Sequence, residues 1–212
     1  MNNQIIISEI FYSILGESSY QGLPFIIIRL AGCNLKCSYC DTVYAQGFEK
    51  GRKIGFEEIY QEIKEYKVKR VLITGGEPLL QTETLKLINY LLNLNYFVLL
   101  ETNGSLSLKK LPENVIKIVD VKCPGSGEGK SFLKENLKYL HFRDQLKFVI
   151  SNRSDFEFAI NFIRKNKLAH KVEISFSPAY NILSAFDLAC WILESKEDIY
   201  LNIQLHKIIN VK

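Results

Sequence analysis

Apolar and polar positions along the chain predict strands that alternate with helices. Six runs are rich in β-branched and other apolar residues and have the length of strands buried in a sheet. They are FIIIRLAG (25–32), VLIT (71–74), FVLLETNG (97–104), VIKIVDVKCPG (115–125), QLKFVIS (145–151) and VEISFSP (172–178). A seventh run, YLNIQLHK (200–207), alternates apolar with polar residues, which predicts a strand with Gln204 and His206 on one face.

Between the strands, apolar residues recur at helical spacing. FEEIYQEIKEY (56–66) and TETLKLINYLLNL (82–94) each place an apolar stripe along one side of a predicted helix. Ser154 and Glu157 have the spacing of a capping box at the start of a third helix. Ser184 predicts the cap of a fourth helix, which runs through Leu193.

This repetition of strand and helix predicts an α/β fold with a mostly parallel sheet and few outer helices. Such folds bind ligands at the carboxyl ends of their strands, where this chain carries its cysteine, glycine and charged residues. The chain has 212 residues, whereas a closed eight-stranded barrel typically has about 250. We therefore predict a partial TIM-like barrel in a single domain over residues 1–212, with an active-site or mobile loop at PGSGEGKS (124–131).

Composition narrows the class of protein. Hydrophobic residues make up 47% and charged residues 24%, as is ordinary for a globular protein, and the net charge is +4. The lysines and arginines are spread along the chain, which argues against a direct nucleic-acid surface and suits a small anionic substrate equally well. The N-terminus has no signal-peptide pattern, and no apolar run approaches the roughly 20 residues of a membrane span. We expect a cytoplasmic protein without membrane contact.

Three cysteines stand within the short segment AGCNLKCSYCDT (31–42), at Cys33, Cys37 and Cys40. The chain has five cysteines, and an odd, clustered set in a reducing compartment indicates metal or catalysis rather than disulfides. Their spacing is compatible with three kinds of metal site. A structural zinc or a ferredoxin-type carrier would need a fourth ligand, such as Cys123, whereas an iron–sulfur cluster with three protein ligands would keep one iron free for catalysis.

The segment CNLKCSYC resembles the CxxxCxxC motif of the radical S-adenosylmethionine (radical SAM) enzymes, and TGGEP (74–78) resembles their GGEP motif. The resemblance implies a partial barrel of radical SAM type. It also implies that Cys33, Cys37 and Cys40 bind a [4Fe-4S] cluster whose fourth iron is chelated by SAM. By the same resemblance, Tyr39, Gly75, Gly76 and Glu77 contact SAM, with the Glu77 carboxylate facing its ammonium group.

Further segments resemble one family, the 7-carboxy-7-deazaguanine synthases. They are IFYSILGES (10–18), TGGEPLLQ, LETNGS, DVKCPGSG and the terminal QLHK. The resemblance implies a homodimer that converts 6-carboxy-5,6,7,8-tetrahydropterin to 7-carboxy-7-deazaguanine with loss of ammonia. The product would feed queuosine and other 7-deazapurines, and a flavodoxin or ferredoxin would supply electrons.

The family resemblance also assigns residues. Those implied to bind substrate are Leu15, Gly16, Glu17, Arg29, Thr74, His206 and Lys212. Those implied to bind SAM, besides the residues named above, are Asp120, Val121, Lys122, Ser177, Pro178, Ala179 and Tyr180. Thr42 resembles the family's Mg²⁺ ligand. Two positions depart from the family pattern, since this chain has Leu15 where the family usually has glutamine and Ser18 where it usually has glycine.

Other interpretations compete with these assignments. Arg29 interrupts an apolar strand and should face a cavity or a partner, whereas Asp120 and Lys122 could form a surface ion pair and Thr42 could cap a helix. Cys123 and the helical Cys190 are expected to be non-ligands. The alternative functions are a radical SAM activase of a protein substrate and a non-catalytic metal or electron-transfer module; the module would require Cys123 as a fourth ligand.

Overall fold

A computed structural model describes residues 3–212 of the chain. Its strands are β1 (Gln4–Ile14), β2 (Pro24–Leu30), β3 (Arg52–Gly55), β4 (Arg70–Gly75), β5 (Phe97–Thr102), β6 (Ile116–Asp120), β7 (Gln145–Ile150), β8 (Glu173–Pro178) and β9 (Tyr200–Leu201). Its helices are α1 (Phe56–Ile63), α2 (Thr84–Asn93), α3 (Arg153–Asn166), α4 (Ala185–Ser195) and the single turn α5 (Leu205–Ile208). None of the helices among residues 3–212 combines the length and apolar character of a membrane span.

All nine strands belong to one sheet, in the order β3-β1-β2-β4-β5-β6-β7-β8-β9. The strands β2, β4, β5, β6, β7, β8 and β9 are joined to one another by parallel pairs, and β1 pairs antiparallel with both β2 and β3. The strands β3 and β9 are the two edges, so the sheet is a barrel that does not close. The predicted mostly parallel, partial barrel is confirmed.

Helices cover one face of this sheet, which we call the helix-covered face. Strands β1 to β5 pack their apolar side chains there against α1 and α2, and strands β6 to β8 pack theirs against α3 and α4. Alternate residues of each strand point to this face, such as Ile26 and Ile28 in β2 and Leu146 and Phe148 in β7. Leu79 and Leu111 pack against both apolar clusters and join them.

The remaining residues of each strand point to the opposite face, which we call the cavity face. A third apolar cluster fills its floor and consists of Leu15, Phe25, Ile27, Leu72, Leu99, Ile116 and Ile118. Leu15 is 5% exposed and belongs to this floor. The parallel strands are in register. The residues two positions after the floor residues therefore lie side by side above the floor, at the carboxyl end of the sheet.

Two strands were absent from the sequence prediction. β1 and β3 lie at the antiparallel edge of the sheet, and β1 mixes apolar with polar residues on both faces. A bulge interrupts the pairing of β1 with β2 between Ile7 and Glu9. A bulge adds a residue to one strand, so Ile7 points to the apolar core while Glu9 points to the cavity face.

Two predicted details were wrong. The third helix is capped by Asn152, whose Oδ1 accepts a hydrogen bond from the Asp155 amide at 2.9 Å, and Ser154 lies inside the helix. The last predicted strand ends at Leu201, and residues 205–208 form a helical turn. This turn forms because the amide of Leu205 donates to the carbonyl oxygen of Gly16 at 2.9 Å, a long-range contact that the local alternation does not encode. The predicted cap at Ser184 is confirmed, since its hydroxyl accepts from the Phe186 amide.

Candidate active site

A cavity of about 480 Å³ opens above the apolar floor, at the carboxyl ends of the parallel strands. Six strands each contribute one polar side chain to its wall. Each lies near the carboxyl end of its strand, two residues after another residue that points to the cavity face. These are Arg29, Thr74, Glu101, Asp120, Lys147 and Ser177. On β2, β4, β5 and β6 the strand pattern thus places apolar residues below and polar residues above on one face of the sheet.

Lys147 joins two carboxylates inside this wall. Its Nζ lies 3.1 Å from Oε1 of Glu101 and also bonds to Oε2 of Glu17, and its side chain is 8% exposed. The Thr74 hydroxyl donates to Glu101 at 3.0 Å, and Nε2 of Gln204 donates to Glu17 at 2.6 Å. Each carboxylate is therefore oriented by a neutral donor as well as by the shared cation.

These contacts set the charge states. Burial by itself would lower the pKa of Lys147, but the charges of Glu101, Glu17 and Asp120 raise that pKa well above its usual value. Burial would raise the pKa of Glu101, but the Lys147 charge and the hydrogen bonds from Lys147 and Thr74 lower it. The cation and the Glu101 carboxylate are thus both ionised at neutral pH.

A second ion pair lines the same wall. Nζ of Lys122 lies 2.7 Å from Oδ2 of Asp120, and their side chains are only 14% and 10% exposed. Because both side chains are buried, the interpretation of Asp120 and Lys122 as a surface ion pair is excluded. Among the described residues, Oδ1 of Asp120 and the hydroxyl of Ser177 are buried without a hydrogen-bond partner. Both line the cavity, so a bound polar ligand could satisfy them.

The three clustered cysteines lie at one side of this cavity. Cys33, Cys37 and Cys40 are half-buried free thiols that line it, whereas Cys123 is fully buried in the second apolar cluster. The structure therefore does not bring Cys123 to the cavity wall as a fourth ligand.

The Gly-rich loop holds the cysteine loop in place. The Ser38 amide and hydroxyl donate to the carbonyl oxygens of Ser126 and Gly125 at 2.9 Å each, and the Lys36 amide donates to Glu128 at 2.8 Å. Gly125 is held in turn by Asp155, at the start of α3, whose carboxylate accepts from its amide at 2.8 Å. The loop predicted to be an active-site or mobile loop is thus tied to the cysteine segment by hydrogen bonds.

Gly75 and Gly76 end β4 directly against the cysteine loop. A Cβ at Gly76 would overlap the carbonyl oxygen of Gly32 and lie 2.7 Å from the Cβ of Cys33. Gly75 has a φ of +148° and no room for a side chain beside the backbone of Leu30. The glycines therefore allow the end of this strand to approach the cysteines and leave both residues in the cavity wall.

Glu77 is directed away from the cavity. Its side chain is fully buried, and its carboxylate accepts hydrogen bonds from the amides of Leu79 and Asn103 and from the hydroxyl of Thr102, at 2.7–2.9 Å. Val121 is also absent from the cavity wall, because its side chain packs in the second apolar cluster. The structure thus places both side chains outside the cavity wall, and Glu77 ties the end of β4 to the end of β5.

Thr42 follows the cysteine loop and faces the cavity. It occupies a cap position before a short 3₁₀ turn, yet its side chain makes no capping hydrogen bond. Its hydroxyl instead donates to Asp41 at 2.9 Å. Burial would raise the pKa of Asp41, but the hydrogen bond and charge of Lys207, together with the Thr42 hydroxyl, lower it to about 2.

The last residues of the chain cover the side of the cavity next to β1. His206 packs against Gly16, Lys207 pairs with Asp41 at 2.7 Å, and Lys212 pairs with Glu9 at 2.7 Å. Glu9 also pairs with Arg29 at 2.9 Å. Burial lowers the pKa of His206, which favours the neutral imidazole.

Comparisons with known proteins agree with this geometry. A family model described as "Radical SAM superfamily" matches residues 27–124. The 7-carboxy-7-deazaguanine synthase of Koribacter versatilis is 45% identical over 96% of each chain. That of Chlorobaculum tepidum is 37% identical over 96% of this chain and 93% of its own. The chain belongs to the 7-carboxy-7-deazaguanine synthase family.

Solved structures support the fold of this synthase. QueE from Escherichia coli superposes with a TM-score of 0.78 at 22% identity, over 96% of this chain and 95% of its own. Streptococcus suis SuiB bound to S-adenosylmethionine superposes with a TM-score of 0.56 at 16% identity, over 81% of this chain and 48% of its own. Both similarities concern the fold of a radical SAM protein.

As a radical SAM enzyme, the synthase uses a [4Fe-4S] cluster and SAM. Within residues 3–212, no three His, Cys, Asp or Glu side chains converge on a single metal ion. The half-buried thiols and the unpartnered oxygens of Asp120 and Ser177 are compatible with both cofactors.

The structure gathers almost all of the residues expected from the sequence around one cavity. Besides the three cysteines, those that line it are Leu15, Gly16, Glu17, Arg29, Tyr39, Thr42, Thr74, Gly75, Gly76, Asp120, Lys122, Ser177, Pro178, Ala179, Tyr180, His206 and Lys212. Glu77 and Val121 do not. The sequence assignment missed Glu9, Glu101, Lys147 and Lys207. A charged residue inside an apolar strand, the pattern that singled out Arg29, also occurs at Glu101 and Lys147.

Proposed function

We propose that this chain converts 6-carboxy-5,6,7,8-tetrahydropterin to 7-carboxy-7-deazaguanine with loss of ammonia, for queuosine or another 7-deazapurine. Product and ammonia together contain all the atoms of the substrate, so the reaction requires no net oxidant. The observation that carries the proposal is that three half-buried thiols and a wall of polar side chains line one cavity. The relatives named 7-carboxy-7-deazaguanine synthase support it.

Cys33, Cys37 and Cys40 would hold the cluster through one iron each, leaving the fourth iron for SAM. When bound, the reduced cluster supplies the electron that cleaves SAM and starts the radical reaction. The remaining proposed SAM contacts come from Tyr39, Gly75, Gly76, Asp120, Lys122 and residues 177–180, all of which line the cavity. The Asp120 oxygen without a partner is suited to accept from the ammonium or ribose of SAM.

The substrate would lie over the apolar floor, between Glu17 and Arg29. Glu17 would accept hydrogen bonds from the amino-pyrimidine edge, and Arg29 would pair with the carboxylate. Thr74, Leu15 and Gly16 would line the ring. Lys212 and a neutral His206 would complete the side that the chain terminus covers.

Thr42 would provide the protein ligand of a Mg²⁺ ion that also binds the substrate carboxylate. Its hydroxyl faces the cavity, is not used as a helix cap and is already hydrogen-bonded to Asp41. Mg²⁺ suits this arrangement because it takes few protein oxygens and completes its shell with ligand and water oxygens.

The setting of the enzyme is part of the same proposal. The single continuous sheet and the two apolar clusters joined by Leu79 and Leu111 support one domain over residues 1–212. A homodimer, reduction by a flavodoxin or ferredoxin, and a cytoplasmic location are proposed on the family resemblance. Free, clustered cysteines suit a reducing compartment.

The test is anaerobic turnover with matched cysteine variants. The purified chain, reconstituted with iron and sulfide and given reductant, SAM, Mg²⁺ and the carboxytetrahydropterin, should form 7-carboxy-7-deazaguanine, detected by mass spectrometry. Cys37→Ala should lose product and most of the iron. Cys123→Ala should retain about four irons per chain and an unchanged spectrum, because its side chain is buried in the core. Absence of product from the wild-type chain would reject the activity, and loss of the cluster in Cys123→Ala would favour a four-thiolate module.

A further inference from the structure

Lys147 occupies the centre of the cavity wall without an assigned role in the reaction. It lies in the middle of β7, between Asp120 on the neighbouring strand β6 and Ser175 on the neighbouring strand β8. Its ammonium group bonds to Glu17, from the loop after β1, and to Glu101, at the carboxyl end of β5. One buried cation therefore connects two carboxylates that come from distant parts of the chain.

The other cations of the cavity are paired elsewhere. Lys122 pairs with Asp120, Lys207 with Asp41, and Arg29 and Lys212 both pair with Glu9. Among the described residues, Lys147 is thus the cation that bonds to both Glu17 and Glu101. Without it, Glu17 would lose the donor that holds its Oε2, and Glu101 would lose the charge that contributes most to lowering its pKa.

Both oxygens of Glu17 accept hydrogen bonds in the structure. Its Oε1 accepts from Nε2 of Gln204 at 2.6 Å, and its Oε2 accepts from Nζ of Lys147. The amino-pyrimidine edge of the proposed substrate presents N–H donors, so it requires an acceptor held in this way. Gln204 holds one oxygen of Glu17 and Lys147 holds the other, which also restricts the orientation of the carboxylate.

We propose that Lys147 is a positioning residue for substrate recognition: it holds the Glu17 carboxylate oriented, beside Glu101, as an acceptor for the N–H edge of an aminopyrimidinone ring. Lys147 acts through these carboxylates and does not itself touch the ring. The inference rests on the proposed function and deepens it, because it assigns the residue that sets the acceptor character of the substrate site.

The charged and titratable groups around Lys147 belong to several elements. They are Glu17 after β1, Arg29 in β2, Asp41 after the cysteines, Glu101 in β5, Asp120 and Lys122 at the end of β6, and His206 in α5. Of these, Glu17 and Glu101 bond directly to Lys147. Loss of Lys147 is therefore expected to act first on the orientation of these two carboxylates.

The test compares Lys147→Met with Lys117→Met in the reconstituted enzyme. Lys117 is a suitable control because it is also a buried lysine in an ion pair, with Asp144 at 3.0 Å, but it lies on β6 outside the cavity. Lys147→Met should raise the KM for the carboxytetrahydropterin at least tenfold. The KM for SAM should stay within twofold. Lys117→Met should keep both values.

Two further variants make the result independent of folding defects. Lys147→Arg, which retains the cation, should restore most of the affinity. Glu17→Gln, which replaces one acceptor oxygen by an NH2 donor, should raise the KM as much as Lys147→Met. If Lys147→Met is too unstable to assay, calorimetric binding of 7-carboxy-7-deazaguanine to Lys147→Arg and Glu17→Gln provides the same comparison.

The outcomes separate this inference from the function itself. A wild-type chain that forms no product would reject the proposed function. A wild-type chain that forms product, together with Lys147→Met at the wild-type KM for the carboxytetrahydropterin, would overturn only the role of Lys147. Equal effects of Lys147→Met and Lys117→Met would also overturn it, because they would indicate a general loss of stability. For the calorimetric arm, wild-type affinity in Glu17→Gln would overturn it.

Discussion

Ser18 is a single residue whose backbone conformation limits the loop that carries Glu17. It is buried and has a φ of +74°, in the left-handed region that favours glycine. Its carbonyl oxygen accepts from Gln21 and its hydroxyl accepts from the Tyr20 amide at 3.2 Å, so the turn between β1 and β2 depends on this conformation. The strain is thus located next to the proposed substrate ligand.

We expect Ser18→Gly to be more stable than Ser18→Ala by about 1 kcal/mol, because only glycine adopts this conformation without steric cost. Both substitutions remove the hydroxyl, so its hydrogen bond to Tyr20 cancels in the comparison. Urea unfolding of the two variants, followed by circular dichroism, measures the difference. An alanine variant as stable as the glycine variant would show that the turn relaxes to another conformation.

Residues of the cavity were predictable from the sequence where a motif or a charge within an apolar run marked them. Arg29 was singled out because a charge broke an apolar strand, and it does face the cavity. The same pattern could have found Lys147, but it would also have selected Lys117, which lies outside the cavity and pairs with Asp144. Alternation alone does not say which face of a strand the helices cover, so it cannot separate these two lysines.

Among the secondary-structure elements, α3 links the packing of the fold to the cysteine loop. Its first turn includes Asp155, which is fully buried and accepts hydrogen bonds from the amides of Gly125 and Ser151. Asn152 closes the same turn from outside the helix, in an extended conformation. The segment SNRSDFE contains several residues that favour caps, so the spacing of Ser154 and Glu157 competed with that of Asn152 and Asp155.

We expect Asn152→Ala to lower the free energy of unfolding by about 1 kcal/mol, since it removes the acceptor for the Asp155 amide. Ser154→Ala is the matched control, because Ser154 is exposed inside the helix, and it should change stability by less than about 0.5 kcal/mol. Thermal or urea unfolding of the two variants decides between the caps. The reverse order of effects would restore the capping box predicted from the sequence.

Elements with one buried side and strong periodicity were predictable, whereas elements positioned by distant contacts were not. β1 has a bulge and carries polar residues toward a cavity, so its sequence does not show a continuous apolar alternation. The turn α5 depends on a hydrogen bond from Leu205 to Gly16. Contacts between residues so far apart in the chain appear only after the sheet has formed.

For the molecule as a whole, the two apolar clusters between the sheet and the helices determine which side chains contact solvent only after unfolding. Cys123 is the thiol in the second cluster, fully buried and packed with the side chains of β6 to β8. Burial raises the pKa of this thiol above its usual 9.0, and the charges of Asp155 and Asp120 raise it further. Its ionised form therefore belongs to the unfolded chain.

The pH dependence follows from this linkage. A group whose pKa is raised on folding contributes stability below its unfolded pKa, and the contribution is lost as pH rises toward the folded pKa. Above pH 9, Cys123 should thus reduce the free energy of unfolding by about 1.4 kcal/mol per pH unit. Anaerobic urea unfolding of the apoprotein at pH 8 and 10 should show a smaller decrease in Cys123→Ala than in the wild type. Equal decreases would mean that the thiol is already accessible in the folded protein.

The alternation of side chains along β4, β5 and β7 has a consequence for how such an enzyme can change. Ile73, Leu100 and Phe148 face the helices, whereas their neighbours Thr74, Glu101 and Lys147 face the cavity. Ligand contacts and core packing consequently fall on alternate positions of the same strands. A mutational library confined to the cavity-facing positions is expected to alter ligand preference while preserving the core under the helices. Substitutions at the helix-facing positions are expected to change thermal stability and leave the cavity wall intact.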